Sequence, residues 1–185
     1  MTKNPSLVDQ ELAGLFVIDM QTKLLNVMEE RDQVIEAVRK LIKGFQIVGR
    51  PIFYSEQYPE GLGPTVSTLR ELLGDNEPVI KEHFSACRIP DTINKIWGSS
   101  ARQLVVVGVE AHICVLQTAL DLVAEGFQVF VAYEGICSRK ALDRDIAVKR
   151  MASGRVEIVT VESVLFELLT KAGTKEFQQI QKLIK

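Results

Sequence analysis

Hydrophobic residues along the chain alternate between short unbroken runs and longer stretches in which they recur every three or four positions. An unbroken apolar run bounded by turn residues is typical of a buried strand, and recurrence every three or four residues is typical of a helix. The unbroken runs predict six strands, at 15–18, 52–54, 78–81, 103–108, 127–132 and 156–159. The recurrences predict helices at 34–48, 66–73, 91–97, 114–125, 143–151, 161–169 and 177–184.

Strands that alternate with helices over the whole chain indicate a parallel sheet covered by helices on both faces. We therefore predict a three-layer, doubly wound, Rossmann-like α/β fold. Its six parallel strands are expected in the order 3-2-1-4-5-6, the commonest order for such sheets. No linker, repeat or low-complexity tract interrupts the pattern, so residues 1–185 are expected to form a single domain.

Composition narrows the partners that this fold is expected to have. The formal net charge is -2 and the pI about 5.8, so nothing draws the chain as a whole towards nucleic acid or an anionic membrane. Three cysteines, an odd number, argue against a disulfide framework and fit a reducing compartment. No apolar stretch approaches a membrane span, and no apolar signal region follows Met1. We expect a cytoplasmic protein with a small-molecule substrate.

Three chemically capable side chains fall at strand ends of the predicted sheet. Asp19 closes the first strand, Lys81 closes the third, and Cys114 follows the fourth at the start of a helix. Ligands of doubly wound sheets bind beyond the carboxyl ends of the strands, so these residues are expected at one functional edge. The positive end of the helix dipole favours the reactive thiolate form of Cys114. These positions predict a nucleophile with its activating groups.

Each of the three residues has a chemical role in this hypothesis. Asp19 takes the thiol proton and returns it to a leaving amine, while Lys81 keeps Asp19 ionised and stabilises the thiolate. Backbone N–H groups of Glu110 and Cys114 stabilise a developing oxyanion. Three other interpretations stay open: a structural Asp–Lys pair with Cys114 as core filler, a redox-active thiol, and a catalytically silent interaction scaffold.

Other residues near these positions are candidates for contact with a substrate. His112 is expected either to contact substrate or tune the thiol, or to be a bystander, and Gln21 to orient Asp19 or the substrate. Apolar side chains are expected to line a pocket or to belong to the core: Leu24, Leu25, Phe84 and Ile113. His83 and Cys87 supply only two potential ligands, too few for a zinc site. Cys87 and Cys137 are expected to be inert.

The segments that carry these residues resemble a known family. Residues 17–21, Val-Ile-Asp-Met-Gln, are similar to the Asp-x-Gln signature of the isochorismatase-like hydrolases. Lys81 followed by Phe84 and Ser85 resembles the lysine segment of that family, and residues 108–115 resemble its cysteine segment. The resemblance covers nearly the whole chain in the same motif order. It is most marked towards the eukaryotic isochorismatase domain-containing proteins.

The resemblance implies a cysteine hydrolase that acts on a carbon–nitrogen bond without a cofactor, with Asp19, Lys81 and Cys114 as its catalytic triad. It also implies a cis peptide between Val109 and Glu110, which aims the amides of Glu110 and Cys114 at one point. A homo-oligomer, a dimer or a tetramer, is a further implication.

Two departures from the family pattern limit the expected chemistry. True isochorismatases have a small residue where Cys114 stands, so the thiol favours amide, ureide or carbamoyl substrates. Nicotinamidases carry an Asp-x-His and a further histidine after the second strand, which hold a metal. The matching residues 55–59 here, Ser-Glu-Gln-Tyr-Pro, contain no histidine, so we predict no metal site.

Overall fold

The computed structural model describes residues 4–185, and within them six parallel strands form one sheet. The order across the sheet is β3-β2-β1-β4-β5-β6, so the predicted topology is confirmed. The strands are β1 (Ala13–Ile18), β2 (Ile52–Gln57), β3 (Val79–Lys81), β4 (Gln103–Val109), β5 (Gln128–Cys137) and β6 (Glu157–Val159).

Helices cover both faces of the sheet, as a parallel sheet requires. They are α1 (Thr22–Leu25), α2 (Arg31–Ile47), α3 (Pro59–Leu62), α4 (Ser67–Leu73), α5 (Pro90–Trp97), α6 (Leu116–Ala124), α7 (Ala141–Ser153), α8 (Val161–Glu167) and α9 (Lys175–Ile184). Helices α2, α4, α8 and α9 pack on one face, and α5, α6 and α7 on the other. Among the described residues, no helix has both the length and the apolar character needed to cross a membrane.

The two central strands, β1 and β4, are buried along their whole length. Because successive side chains of a strand point to opposite faces, Leu15 and Val17 enter one core while Phe16 and Ile18 enter the other. Both faces of these strands therefore need apolar residues, which explains the unbroken runs in the sequence. The carboxyl ends of β1 and β4 lie side by side, with Ile18 opposite Gly108.

The structure differs from the sequence prediction at a few boundaries. Helices α1 and α3 were not predicted, because four residues are too few to display a helical period. Strand β5 continues to Cys137, beyond the predicted end at 132. The predicted helix at 114–125 is preceded by a π-helical turn over Ala111–Val115, and α6 itself begins at Leu116.

The C-terminal helix α9 is held by the chain itself. The side chain of Thr174 caps it by accepting a hydrogen bond from the N–H of Phe177. Ile180 of α9 is fully buried in the core that also contains α2. The apolar face of this helix is thus covered within the chain, and the expected dimer or tetramer stays a prediction.

Candidate active site

Asp19 lies directly after β1, at the edge of the sheet, and is completely buried. Its backbone has φ +49°, a left-handed conformation that aspartate tolerates better than most residues. The N–H of Asp19 donates to the carbonyl of Ser55 on β2 (3.1 Å), and the Ser55 hydroxyl donates to Oδ1 of Asp19 (2.7 Å). The carboxylate is therefore fixed by the neighbouring strand.

Lys81 is the last residue of β3, and its ammonium group is surrounded by acceptors. Its Nζ donates to Oδ2 of Asp19 (2.6 Å) and to Oε1 of Gln57 (2.7 Å). The carbonyls of Phe84 (3.1 Å) and His83 (3.3 Å) complete the shell. Lys81 and Asp19 both have fully buried side chains. Their opposite charges neutralise each other in a place where a single charge is costly.

Cys114 lies in the π-helical turn between β4 and α6, and 6% of the residue is exposed. The N–H of Val115 closes this turn on the carbonyl of Glu110 (3.3 Å). The peptide bond between Val109 and Glu110 is cis. Cys114 thus follows β4, and β4 is the direct neighbour of β1, the strand that Asp19 follows.

The thiol of Cys114 responds to both members of the buried ion pair. The pKa of Cys114 is raised to about 12, and burial is the largest cause. The negative charge of Asp19 and hydrogen bonding to it act in the same direction, whereas the charge of Lys81 and hydrogen bonding to it act to lower this pKa. Burial thus opposes the thiolate form that the sequence position predicts, because a charged sulfur is costly away from water.

Gln21, expected to orient Asp19 or a substrate, has its side-chain amide committed elsewhere. Its Nε2 donates to the carbonyls of Gln57 (2.9 Å) and Gly63 (2.6 Å). Its Oε1 accepts from the N–H of Gln57 (2.7 Å). Gln21 thus joins the segment after β1 to the loop after β2, and it supports the site through the backbone.

Glu110 and His112 both fasten the π-helical turn to the segment after β5. The carboxylate of Glu110 accepts from the backbone N–H (3.0 Å) and the Nε (3.2 Å) of Arg139. Nδ1 of His112 lies 2.9 Å from Oγ of Ser138, and its Nε2 lies 3.9 Å from a carboxylate oxygen of Asp143. The side chain of His112 therefore contacts α7 and its entry, which fits the bystander interpretation.

The apolar candidates differ in their surroundings. Leu25 is fully buried in the core, and Leu24 and Ile113 are partly buried against the two cores. Phe84 is 54% exposed, although its carbonyl binds Lys81. Phe84 is thus the candidate that solvent reaches most easily.

The other two cysteines make their contacts with residues outside the Asp19–Lys81 ion pair. The sulfur of Cys87 lies 3.7 Å from the carbonyl of Thr118, and the sulfur of Cys137 lies 3.0 Å from that of Met28. Both thiols are free, and burial raises the pKa of each to about 12.

The model of the isochorismatase domain matches residues 13–163, which include Asp19, Lys81 and Cys114. The chain belongs to the isochorismatase family. The resemblance seen in the sequence motifs is confirmed. The six-stranded sheet described above is the fold of this family domain in the present chain.

Isochorismatase domain-containing protein 1 of Danio rerio is 37% identical over 173 residues, which are 92% of this chain and 60% of that protein. The chain thus spans about 60% of the length of that curated relative. Isochorismatase domain-containing protein 2A of Mus musculus is 36% identical over 176 residues, 95% of this chain and 84% of that protein. The structure of MAR1 ribonuclease from Caenorhabditis elegans superposes with a TM-score of 0.88 at 35% identity, covering 96% of this chain and 92% of that one.

Within this isochorismatase-family domain, the polar side chains at the end of β2 all have hydrogen-bond partners. Ser55 and Gln57 bind Asp19 and Lys81, and Glu56 accepts from the N–H (2.7 Å) and the hydroxyl (2.8 Å) of Thr65. Among residues 4–185 there is no group of three or more histidine, cysteine or acidic side chains placed to hold a metal ion.

Sequence reasoning named Ser55 and Gln57 only as residues that lack metal-binding chemistry. The signal that could have found them is positional: both lie at the end of β2, between the strands that carry Asp19 and Lys81. A polar residue at that point of a predicted 3-2-1-4-5-6 sheet lies between the ends of the first and third strands, within reach of the side chains placed there.

Proposed function

We propose that the protein is a hydrolase that cleaves a carbon–nitrogen bond of a small amide, ureide or carbamoyl compound through a thioester on Cys114. The observation that carries the proposal is the buried Asp19–Lys81 pair, whose two charges act on the Cys114 thiol in opposite directions. Membership of the isochorismatase family favours hydrolysis. A nucleophile, a base and a cation meeting at one strand edge support this reaction type.

In the first step the S–H bond of Cys114 breaks, and its proton passes to the carboxylate of Asp19 while the sulfur attacks the carbonyl carbon of the substrate. The site then holds a neutral Asp19, a tetrahedral adduct bearing the negative charge, and the Lys81 cation. The total charge does not change. A thiol with a pKa of about 12 remains protonated until a substrate is present, so this transfer belongs to the attack itself.

The second half releases the two products in turn. The proton on Asp19 passes to the leaving nitrogen, the C–N bond breaks, and an amine or ammonia departs from the thioester. Asp19, ionised again, takes a proton from water, whose oxygen attacks the thioester carbon. The C–S bond breaks, the sulfur regains its proton, and a carboxylic acid leaves.

The negative oxygen of both tetrahedral adducts needs donors that are already in place. We assign this role to the backbone N–H groups of Glu110 and Cys114, which lie at the two ends of the tight connection from β4. The Glu110–Arg139 ion pair and the closed π-helical turn support this assignment, because they hold the connection in one conformation. Leu24, Phe84 and Ile113 are proposed as walls for the apolar part of a substrate, with Gln21 acting only through the loop it joins.

The name of the Caenorhabditis elegans relative raises RNA as an alternative substrate. The basic residues that follow β5 do not favour it, because Arg139 is paired with Glu110 and Arg144 with Glu30. The remaining basic residues, Lys140, Lys149 and Arg150, are interleaved with Asp143 and Asp145. A small-molecule substrate fits this charge distribution better than a polyanion.

A redox function is disfavoured by the state of the thiol. Redox-sensing cysteines have a low pKa and are accessible to solvent. Cys114 has a raised pKa and is buried. Catalysis that generates the thiolate only in the presence of substrate fits these properties better.

The proposal is tested by measuring ammonia release from acetamide, benzamide, phenylurea and N-carbamoylglycine, with a structured RNA as a parallel substrate. Cys114→Ala is expected to abolish turnover, while Cys87→Ala retains it. Intact-protein mass spectrometry should detect the acyl adduct, and peptide mapping should place it on the peptide that contains Cys114. Turnover that survives Cys114→Ala, ammonia release from none of the four compounds, or cleavage of RNA alone would each contradict the proposal.

A further inference from the structure

Ser55 contacts Asp19 directly, although its position in the sequence does not suggest this contact. On β2 it pairs in register with Ile18, the residue before Asp19. Its carbonyl accepts the N–H of Asp19 (3.1 Å), and its hydroxyl donates to Oδ1 of the carboxylate (2.7 Å). Ser55 and Asp19 are both completely buried. The Ser55 hydroxyl thus directly contacts the carboxylate of Asp19, the proposed base.

The two oxygens of the Asp19 carboxylate have partners of different kinds. Oδ2 receives an N–H of Lys81, and an ammonium group can only donate. Oδ1 receives the Ser55 hydroxyl, which is a donor but also has lone pairs that accept. A proton added to Oδ2 would face the Lys81 cation, whereas a proton added to Oδ1 faces a group that can rotate to suit it.

We propose that Ser55 is a positioning residue that makes Oδ1 of Asp19 the atom that receives and returns the Cys114 proton. This inference rests on the proposed function, since it concerns the base of that reaction. The S–H bond of Cys114 breaks and an O–H bond forms at Oδ1. Later that O–H bond breaks and an N–H bond forms on the leaving group. Ser55 keeps its own proton throughout and only reorients its hydroxyl.

Gln57 holds Lys81, which is the partner of the other carboxylate oxygen of Asp19, Oδ2. Its Oε1 accepts from Lys81 (2.7 Å), and its Nε2 donates to the carbonyl of Glu82 (2.7 Å). The amide therefore cannot turn without losing one of these bonds. Lys81 is held on Oδ2, which leaves Oδ1 as the oxygen whose partner adapts to a change of protonation.

The test uses iodoacetamide as the probe, with the rate of Cys114 alkylation followed by peptide mapping across a wide pH range. In the wild type, an acid limb is expected where the base gives up its proton. A carboxylate that loses a hydrogen-bond donor holds a proton more tightly. Ser55→Ala should therefore move the midpoint of this limb to higher pH. Ser55→Thr, which keeps a hydroxyl, should restore the wild-type midpoint.

Ser85→Ala is the matched control, because the Ser85 hydroxyl also donates to a carboxylate at 2.7 Å, that of Asp121. It should cost similar stability in urea unfolding and leave the limb in place. Ser55→Gly also lacks the hydroxyl and replaces Ser55→Ala should that variant not fold. An acid limb that Ser55→Ala and Ser55→Gly leave unmoved, or that Ser85→Ala moves equally, overturns this inference alone. A wild-type profile with no acid limb overturns the proposed function instead.

Discussion

Nζ of Lys81 lies 2.6 Å from Oδ2 of Asp19, and neither side chain is exposed to solvent. The two residues come from strand ends that are not adjacent, because β2 lies between β1 and β3. The ion pair therefore spans the strand that carries Ser55 and Gln57, and both of these residues bind it. The pair is part of the fold as well as of the candidate site.

Removal of one partner from this pair should destabilise the protein strongly. Lys81→Met leaves the Asp19 carboxylate buried without its cation, which costs about 3–5 kcal/mol when one partner of a buried pair is lost. Urea unfolding followed by circular dichroism measures the free energy of unfolding. The control is Lys95→Met, at an exposed position in α5, where we expect a change within about 0.5 kcal/mol. A loss below about 1 kcal/mol for Lys81→Met would mean that the pair is not electrostatically coupled to folding.

Asp19→Asn should make Cys114 easier to ionise while removing its activity. The asparagine keeps the shape of aspartate but removes the negative charge that raises the pKa of Cys114 above its usual value. The pKa of Cys114 is therefore expected to fall from about 12, which the pH dependence of its thiolate absorbance measures in a background that lacks Cys87 and Cys137. Turnover should be lost, because the base is gone.

The outcome of Asp19→Asn separates two explanations of the Cys114 environment. If burial alone sets the pKa of Cys114, the thiolate titration of Asp19→Asn will match that of the same background with Asp19. The carboxylate would then not influence the thiol. A lowered pKa of Cys114 combined with retained turnover would remove Asp19 from the mechanism.

The sheet could be predicted from the sequence because its central strands are buried on both faces. Such strands leave unbroken apolar runs, as β1 and β4 do, and the alternation with helices then limits the topology. The placement of Asp19 and Lys81 followed from topology alone, because both end a strand. Their ion pair, at 2.6 Å, is the observed consequence.

The ionisation state of Cys114 and the roles of Ser55 and Gln21 could not be predicted in the same way. Whether a thiol beside a helix start becomes acidic depends on its burial, and sequence spacing does not reveal how deeply a side chain is covered. Gln21 and Ser55 are both polar and near Asp19, yet only Ser55 directs its side chain at the carboxylate. Ser55 is placed by its register on β2, opposite Ile18, whereas Gln21 is held by Gln57 and by Gly63 of the following loop, whose conformation has no periodic signature.

His112→Gln should leave the chemistry of Cys114 unchanged. The imidazole contacts Ser138, after β5, and Asp143, in α7. We expect the rate and pH dependence of Cys114 alkylation to stay within about twofold, with about 1 kcal/mol of stability lost with the Ser138 hydrogen bond. Alkylation time courses, sampled by quenching the reaction, measure the rate, and urea unfolding measures the loss of stability. A displaced pH profile would show that His112 tunes the thiol after all.

Gly108→Ala should disrupt the junction on which Asp19 and Cys114 both depend. Gly108 has φ +126°, and a Cβ built there would lie 2.0 Å from the carbonyl oxygen of Ile18 on β1. The backbones of β1 and β4 cannot both keep their positions, so we expect a loss of at least about 3 kcal/mol in urea unfolding and slower alkylation of Cys114. Gly49→Ala is the control, since Gly49 also has a positive φ, +66°, but has open space around it. It should cost only about 1 kcal/mol, and equal losses in the two variants would trace the effect to backbone conformation instead of the contact between the strands.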